Sequence, residues 1–550
     1  MTEPLAKVRN RPARAWRVPL MLVLVLLLAA GLRLHGIGAG LPALNDPDEP
    51  LFMMTAVEML RNRTFDPGWF GHPGTITLYS LALTSLAVAV LGLATGRFSD
   101  PDAFVAAVYA DPGILFLPGR IVMAASGTLC VLLLFLIGRR IGGARLGLVA
   151  ALLLAVNAVH VEYSQIIRTD VQASVFVLLA TLQALSIVER GKRRDHGLAG
   201  LFTGLACATK WPAALVLLNP VTAAAARALG RGHGWGRVLL VPIAAAIALV
   251  AASPFLLLDY PTVLANLSGE ARPLHPGSTG GGFLANLLWY ITHPLHGSLG
   301  GIGLLLAAVG AVWMPIRNRA VRLAVLPFAL AFPVVIAGQA LLWERWIVPV
   351  LPFAALAAAY ALCGAADRLG RALERPGLHI HAPAAALLAV GMAQTSLIET
   401  RERLHDTRQA ASQWVRTHVP PGSTILIEDA AFDIIHGPWR FRFPMGSAGC
   451  IDVAEALAGR IRYSNVEEAR AGSPLVDLGH VDPAQLDSCR TDFAILTHYD
   501  RYADGGQAFR PQFERYDRLL AGARVHAVIR PVPGESSGPN VFLVALAPRE

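Results

Sequence analysis

The chain has 550 residues, of which 54% are hydrophobic and only 15% charged, and its mean hydropathy is +0.50. Soluble globular chains carry about a quarter charged residues, so this composition excludes them, along with disordered, collagen-like and disulfide-rich secreted classes, and describes a polytopic α-helical membrane protein. Lys+Arg 47 against Asp+Glu 38 gives a formal +9, but the basic residues sit in short loops between apolar runs, which is positive-inside topology rather than a nucleic-acid surface.

Residues 1–17 carry Lys7, Arg9, Arg11, Arg14 and Arg17 ahead of an apolar run. With no small-residue cleavage site before Arg33, they read as a cytoplasmic N-terminus followed by an uncleaved first span, Val18 to Leu34. The segment 35–119 is an outer loop. Within it, Asn45-Asp46-Pro47-Asp48-Glu49-Pro50 precedes a short amphipathic interfacial helix, Leu51 to Arg63. The apolar stretch Gly74 to Leu93 is expected to be re-entrant or to lie along the surface, because the parity of the later spans leaves no crossing for it.

A span at Leu117 to Gly138 leads to the first of five basic clusters: Arg139-Arg140 with Arg145, Arg190 to Arg194, Arg227 with Arg231 and Arg237, Arg317 with Arg319 and Arg322, and Arg368 with Arg371 and Arg375. All read as cytoplasmic. Out-and-back pairs fit between them at 146–161 with 171–188, 197–209 with 211–226, 238–258 with 298–316 and 323–341 with 346–363, the third pair enclosing an outer loop at 259–297. A last span, Pro383 to Leu397, completes a transmembrane domain at 18–398 with about eleven helices.

Residues 399–550 turn to mixed polar sequence and are expected to form a small extracytoplasmic α/β domain of about 150 residues. It would have a helix at Thr407 to His418 and strands at Thr424 to Ile427, Phe493 to Leu496, Val525 to Ile529 and Val541 to Leu546. Cys450 and Cys489 could pair there if it faces an oxidising compartment, while Cys130, Cys207 and Cys363 read as small buried hydrophobes. Heavy alanine and arginine use with few lysines points to a GC-rich bacterial genome, and so to a bacterial cell (inner) membrane.

Ionisable residues near membrane depth are costly, about 2.5–3.5 kcal/mol each on the lenient scale, so those retained are functional candidates. Nearly all fall at the outer ends: Asp46, Asp48, Glu49, His72, Arg120, Glu162, Arg168, Asp170, Lys210, Asp259, Glu344 and Arg345. They would line one outward cavity holding carboxylates and cations together. One of Asp46, Asp48 and Glu49 can act as a general base, although an acid ahead of Leu51 also serves as a helix cap. Asp170 either caps the next helix or holds a metal, a cation or the acceptor, beside an Arg168 suited to phosphate. Lys210, one of three lysines, either binds phosphate or snorkels. Arg345 either binds a lipid phosphate or pairs with Glu344. His72-Pro73 marks the start of the re-entrant segment, and Gly280-Gly281-Gly282, lacking a phosphate-loop context, reads as flexibility.

Taken in order, Asp48-Glu49 after the first span, His72-Pro73, Arg168-Thr169-Asp170, Gly204-Leu205-Ala206 leading to Thr209-Lys210, and Arg345 before Val348-Pro349-Val350-Leu351-Pro352 resemble the C-type membrane glycosyltransferases. The resemblance covers roughly residues 15–365 and is to the branch of bacterial protein O-mannosyltransferases and lipid A aminoarabinose transferases. The tail, with Ala410 to Val415 and Val419 to Ser423, is similar to their outer domain. It implies a sugar donor on a polyprenyl phosphate used on the outer face, transfer with inversion to an acceptor lipid, glycan or protein, and Asp48 as the catalytic carboxylate with Glu49 and Asp46 beside it. Lys210, Arg168, Arg345 and Arg120 would receive the donor phosphate, and Asp170, His72 and Glu344 would contact substrate. One departure is Gly74 where the family pattern has a second proline. Some relatives bind a divalent metal near the matched acids, but no His/Cys cluster in this sequence demands one. A transporter or flippase of a lipid-linked sugar or other anionic substrate is the alternative. It would show related halves and midplane sites, whereas no internal repeat is visible and the charges lie at helix ends.

Overall fold

The computed structural model describes residues 17–72, 74–270, 273–374, 380–429, 433–457 and 476–546. The first helices are α1 (Arg17–Leu34), α2 (Asp48–Arg61), α3 (Thr75–Ala94), α4 (Pro101–Ala110) and α5 (Gly113–Ala155). They are followed by α6 (Ala158–Glu162), α7 (Thr169–Glu189), α8 (Arg193–Thr209), a 3-10 turn at Trp211–Leu217, α9 (Leu218–Arg231) and α10 (Trp235–Ala252). After the short helices α11 (Phe255–Leu258), α12 (Tyr260–Glu270) and α13 (Phe283–Tyr290), the bundle is completed by α14 (His296–Arg317), α15 (Arg319–Ala324), α16 (Leu326–Ala337), α17 (Leu351–Ala372) and α18 (His381–Leu404). Among the described residues eight helices are long and apolar enough to cross a membrane, with Val18–Leu34 and Leu326–Ala337 as shorter apolar helices.

α7 and α17 are the most enclosed helices, and their buried faces carry small and β-branched residues against α5 and α8. Peripheral helices instead turn Leu20, Leu24 and Leu27, or Ile302, Leu305 and Val312, outward, as lipid-facing helices must. Close packing rests on glycines, the usual device where lipid supplies no hydrophobic drive between helices. A Cβ at Gly204 would come 2.3 Å from the Ala245 carbonyl of α10, and one at Gly310 would come 1.9 Å from the Ala357 carbonyl of α17. α5 reverses at Gly142 and Gly143, the latter at φ +85°, and brings Gly138 against Gly147, so it consists of two helices divided just after Arg139-Arg140.

The apolar stretch expected to be re-entrant or superficial is one continuous 20-residue helix, α3. Its length and composition would permit a crossing. Its first turns, however, meet α7 through Thr77 and Ser80 on Gln172, Ser85 lies against Met53 of α2, and α4 ends where His436 bonds the Tyr109 carbonyl. Gly280 to Gly282 are not a loose segment: Gly280 N–H donates to the Ala340 carbonyl, and Asn286 takes the Gly281 N–H while bonding the Ala337 and Gln339 carbonyls.

Past α18, the helix α19 (Thr407–His418) packs on a six-stranded sheet of order β3-β2-β1-β4-β6-β5. Its strands are β1 (Thr424–Ile427), β2 (Arg440–Pro444), β3 (Cys450–Asp452), β4 (Phe493–Leu496), β5 (Arg524–Ile529) and β6 (Val541–Ala545). β1 is parallel to β2 and β4, and the outer pairs are antiparallel. Cys450 and Cys489 are joined by a disulfide.

Candidate active site

The three acids after the first span have three different fates. Asp46 caps α2, its Oδ1 accepting the N–H groups of Asp48 and Glu49 at 3.0 and 3.2 Å, and it also takes Arg168 Nη2 at 2.8 Å. Glu49 is wholly buried. It accepts Arg120 Nε at 2.8 Å and Nη2 at 2.6 Å, and the Ile167 N–H at 2.8 Å, while Arg120 Nη1 bonds the Ile37 and Ala39 carbonyls. Glu49 and Arg120, expected as a catalytic acid and a phosphate ligand, are therefore paired with each other, and both are buried. Asp48 remains. About a third of its side chain is exposed (32%), its Oδ2 is bonded by Arg168 Nη1, and Arg345 Nη2 lies 3.4 Å away.

Burial alone would raise the Asp48 carboxyl, but the pull of Arg168, and then of Arg345, outweighs it and holds the group down at about 2. Arg345 is stacked on Trp343, 4.5 Å from the ring, and forms no hydrogen bond among the described residues. It faces Asp48 rather than Glu344, so the guanidinium is aimed by its stack while most of its donors stay unused. Arg168 is more heavily engaged, by Asp46 and Asp48 together.

Behind this group Asp170, in the first turn of α7, is bonded by Lys210, which ends α8; both are buried. Asp170 is thus neither a free cap nor solvent-facing, and Lys210 does not snorkel. Burial pulls the Lys210 ammonium down from its usual value, with Asp170 opposing that shift. His72 packs against Trp69 and Phe52, with ring centroids 5.5 and 6.0 Å apart. Burial, followed by repulsion from Lys210 and Arg345, brings its imidazole down to about 3 and keeps it neutral. Pro73, the other half of that sequence feature, lies outside the described residues.

Glu344 stands to one side, with Tyr163 Oη 3.4 Å from its Oε2, next to a Glu162–Arg403 pair at 3.3 Å. Of the outer-end charges, Asp46, Asp48, Arg168 and Arg345 lie against one another, whereas Asp259 makes no ion pair or side-chain hydrogen bond among the described residues. Sequence reading missed Tyr163 and Arg403. It also missed Arg33, buried in α1, whose guanidinium takes the Leu154 and Ala155 carbonyls at the end of α5 and His160 Nδ1 at 2.8 Å. Arg33 and Gln165, which bonds the Leu32 and His35 carbonyls and Arg403, fix the loop that carries Arg168. An arginine inside an apolar span was the one available signal. Among the described residues no group of three or more His, Cys, Asp or Glu is placed to hold a metal ion.

Residues 112–258 match the family described as Dolichyl-phosphate-mannose-protein mannosyltransferase, a segment that contains Arg120, Arg168, Asp170 and Lys210. Over nearly its whole length the chain shares its fold with solved structures of membrane transferases. Among solved structures it is similar to ArnT from Cupriavidus metallidurans in the apo state, with a TM-score of 0.54 and 15% identity over 97% of this chain and 98% of that one. The same protein bound to undecaprenyl phosphate gives 0.54 and 16% over 96% and 98%. The Archaeoglobus fulgidus oligosaccharyltransferase tethered with an acceptor peptide gives 0.51 and 13% over 96% and 74%. No curated protein matches the sequence.

Proposed function

We propose that the protein transfers a monosaccharide from a polyprenyl-phosphate-linked donor to an extracytoplasmic acceptor, with inversion. The observation that carries this reading is Asp48, the most open carboxylate of the three, facing an Arg345 that is held by Trp343 and has hydrogen-bond donors to spare. A donor phosphate fits those vacant donors and would compete with Asp48 for Arg345 and Arg168. Relieved of part of that pull, Asp48 gains proton affinity, each pKa unit being worth about 1.4 kcal/mol. It then takes the proton from an acceptor hydroxyl or amine. The acceptor atom bonds to the anomeric carbon from the face opposite the phosphate, the carbon–oxygen bond to phosphate breaks, and its electron pair leaves with the polyprenyl phosphate. Arg345, Arg168 and Lys210 stabilise the charge that develops there. His72, neutral and beside Lys210, is a hydrogen-bonding group for the sugar.

In this reading the N-terminus is cytoplasmic, about eleven spans cross a bacterial inner membrane, and residues 399–550 lie outside above the site. The test is sugar transfer and release from radiolabelled polyprenyl-phosphate sugars by purified protein, with acceptor-rich membrane extract. Asp48→Asn is expected to lose about 10²–10⁴-fold in turnover while still binding polyprenyl phosphate. Wild-type turnover in Asp48→Asn would move the base elsewhere. A wild type inert on every donor would remove the glycosyltransferase reading.

A further inference from the structure

The loop that carries Asp46 and Asp48 is held from the C-terminal domain. Asn45 and Gln409 of α19 form a reciprocal amide pair, Asn45 Nδ2 donating to Gln409 Oε1 at 2.7 Å and Gln409 Nε2 to Asn45 Oδ1 at 2.8 Å. Arg408 Nη1 donates to the Asn45 carbonyl at 2.7 Å. Arg408 is itself aimed by Asp406, which accepts its Nε at 2.9 Å and its Nη2 at 2.7 Å and caps α19 through the Arg408 N–H. All four groups are at least partly buried. Backbone geometry on the other side of the contact agrees: Leu44, a buried non-glycine residue, sits at φ +58°, a conformation that persists only when its surroundings impose it. One residue after Asn45, Asp46 caps α2 and grips Arg168, so the clamp is a single residue from the groups that place Asp48.

We propose that Gln409 and Arg408 are positioning residues of the active site: the C-terminal domain fixes the backbone at Asn45 and thereby sets Asp46, Arg168 and Asp48 for reaction. This deepens the glycosyltransferase reading and rests on it for the kinetic test alone. Neither residue touches the reacting groups, so their removal acts on geometry at Asp48. A small misplacement of a base lowers turnover far more than it lowers donor binding.

Full-length Gln409→Ala and Asn45→Ala are each expected to lose about tenfold to a hundredfold in kcat with the KM for donor within about twofold. The double variant should lose no more than either single, because both substitutions remove the same pair. Gln409→Glu, nearly isosteric, keeps the acceptor and loses the donor. It should be impaired at pH 8 and recover only as pH falls to about 4 and below, where a glutamate carboxyl gains a proton, a readout that a merely structural role would not produce. Amide hydrogen exchange at residues 46–49 should quicken in Gln409→Ala, and this needs no turnover. Wild-type kcat and unchanged exchange in Gln409→Ala would overturn the proposal, as would multiplicative losses in the double variant. If Gln409→Ala does not fold, Gln409→Glu decides, and a flat pH response relative to wild type overturns the clamp. If wild type turns over no donor, the glycosyltransferase reading falls and the exchange result decides the clamp by itself.

Discussion

Arg120 offers the sharpest separation of structural from catalytic charge. Its guanidinium is 4% exposed and the Glu49 carboxylate 0%, and the two are joined by paired bonds at 2.6 and 2.8 Å. Arg120→Met leaves that carboxylate buried without its cation, a loss that costs about 3–5 kcal/mol in comparable pairs. At about 1.4 kcal/mol per factor of ten, the ratio of folded to unfolded protein falls by roughly two to three and a half orders of magnitude. Adding Glu49→Gln removes the stranded charge while keeping an acceptor for the Ile167 N–H. The double variant should therefore recover most of the loss. About 1 kcal/mol each should persist for the Ile37 and Ala39 carbonyls, which lose Arg120 Nη1. The assay is unfolding of the purified protein in detergent, followed alongside turnover of whatever fraction stays folded. If Arg120→Met melted like wild type while losing turnover, or if the double variant were no more stable than the single, the buried-pair reasoning would fail and Arg120 would return to the donor site.

Further outcomes follow from the same geometry. Because Asp48 is held at about 2, wild-type kcat/KM should show no acid limb from this group above about pH 4; Arg345→Gln removes part of the pull, so its limb should move to higher pH, seen in a pH–rate profile. In Gly204→Ala and Gly310→Ala the new methyl meets backbone carbonyls that cannot turn aside, so each should cost about 1–3 kcal/mol, Gly310 the more, in the same unfolding assay. In the C-terminal domain, burial opposes protonation of His498, but Asp429 and Glu428 outweigh it and hold its pKa above 6.5, with Asp429 3.6 Å away. A raised folded pKa gives stability that is full below 6.5 and lost as pH rises through the folded value. Melting of that domain should therefore fall on the alkaline side of 6.5, and His498→Gln should flatten the dependence. A slope of the opposite sign would contradict the pairing.

The sequence by itself determined what depends on composition and period. Most long apolar helices could be located because an apolar run of bilayer length leaves few other outcomes. In the tail, α19 and the strands at 424–427 and 493–496 were legible as local periodicities. β2 and β3 were not, since Arg440-Phe441-Arg442-Phe443-Pro444 and three residues at Cys450 are too short or too charged to stand out without the sheet that pairs them. The site residues were legible as types, because charge at membrane depth is expensive and so is kept for a reason. Their partners were decided only by the fold. Asp46, Asp48 and Glu49 lie within four positions and look alike in the sequence. They part because Asp46 turns to the first N–H groups of α2, Glu49 to a buried arginine, and Asp48 to Arg168 and Arg345, a matter of side-chain direction that spacing does not carry. Asn45 and Gln409, 364 positions apart, had no signal at all. An amide pair between distant segments exists only once tertiary packing brings them together.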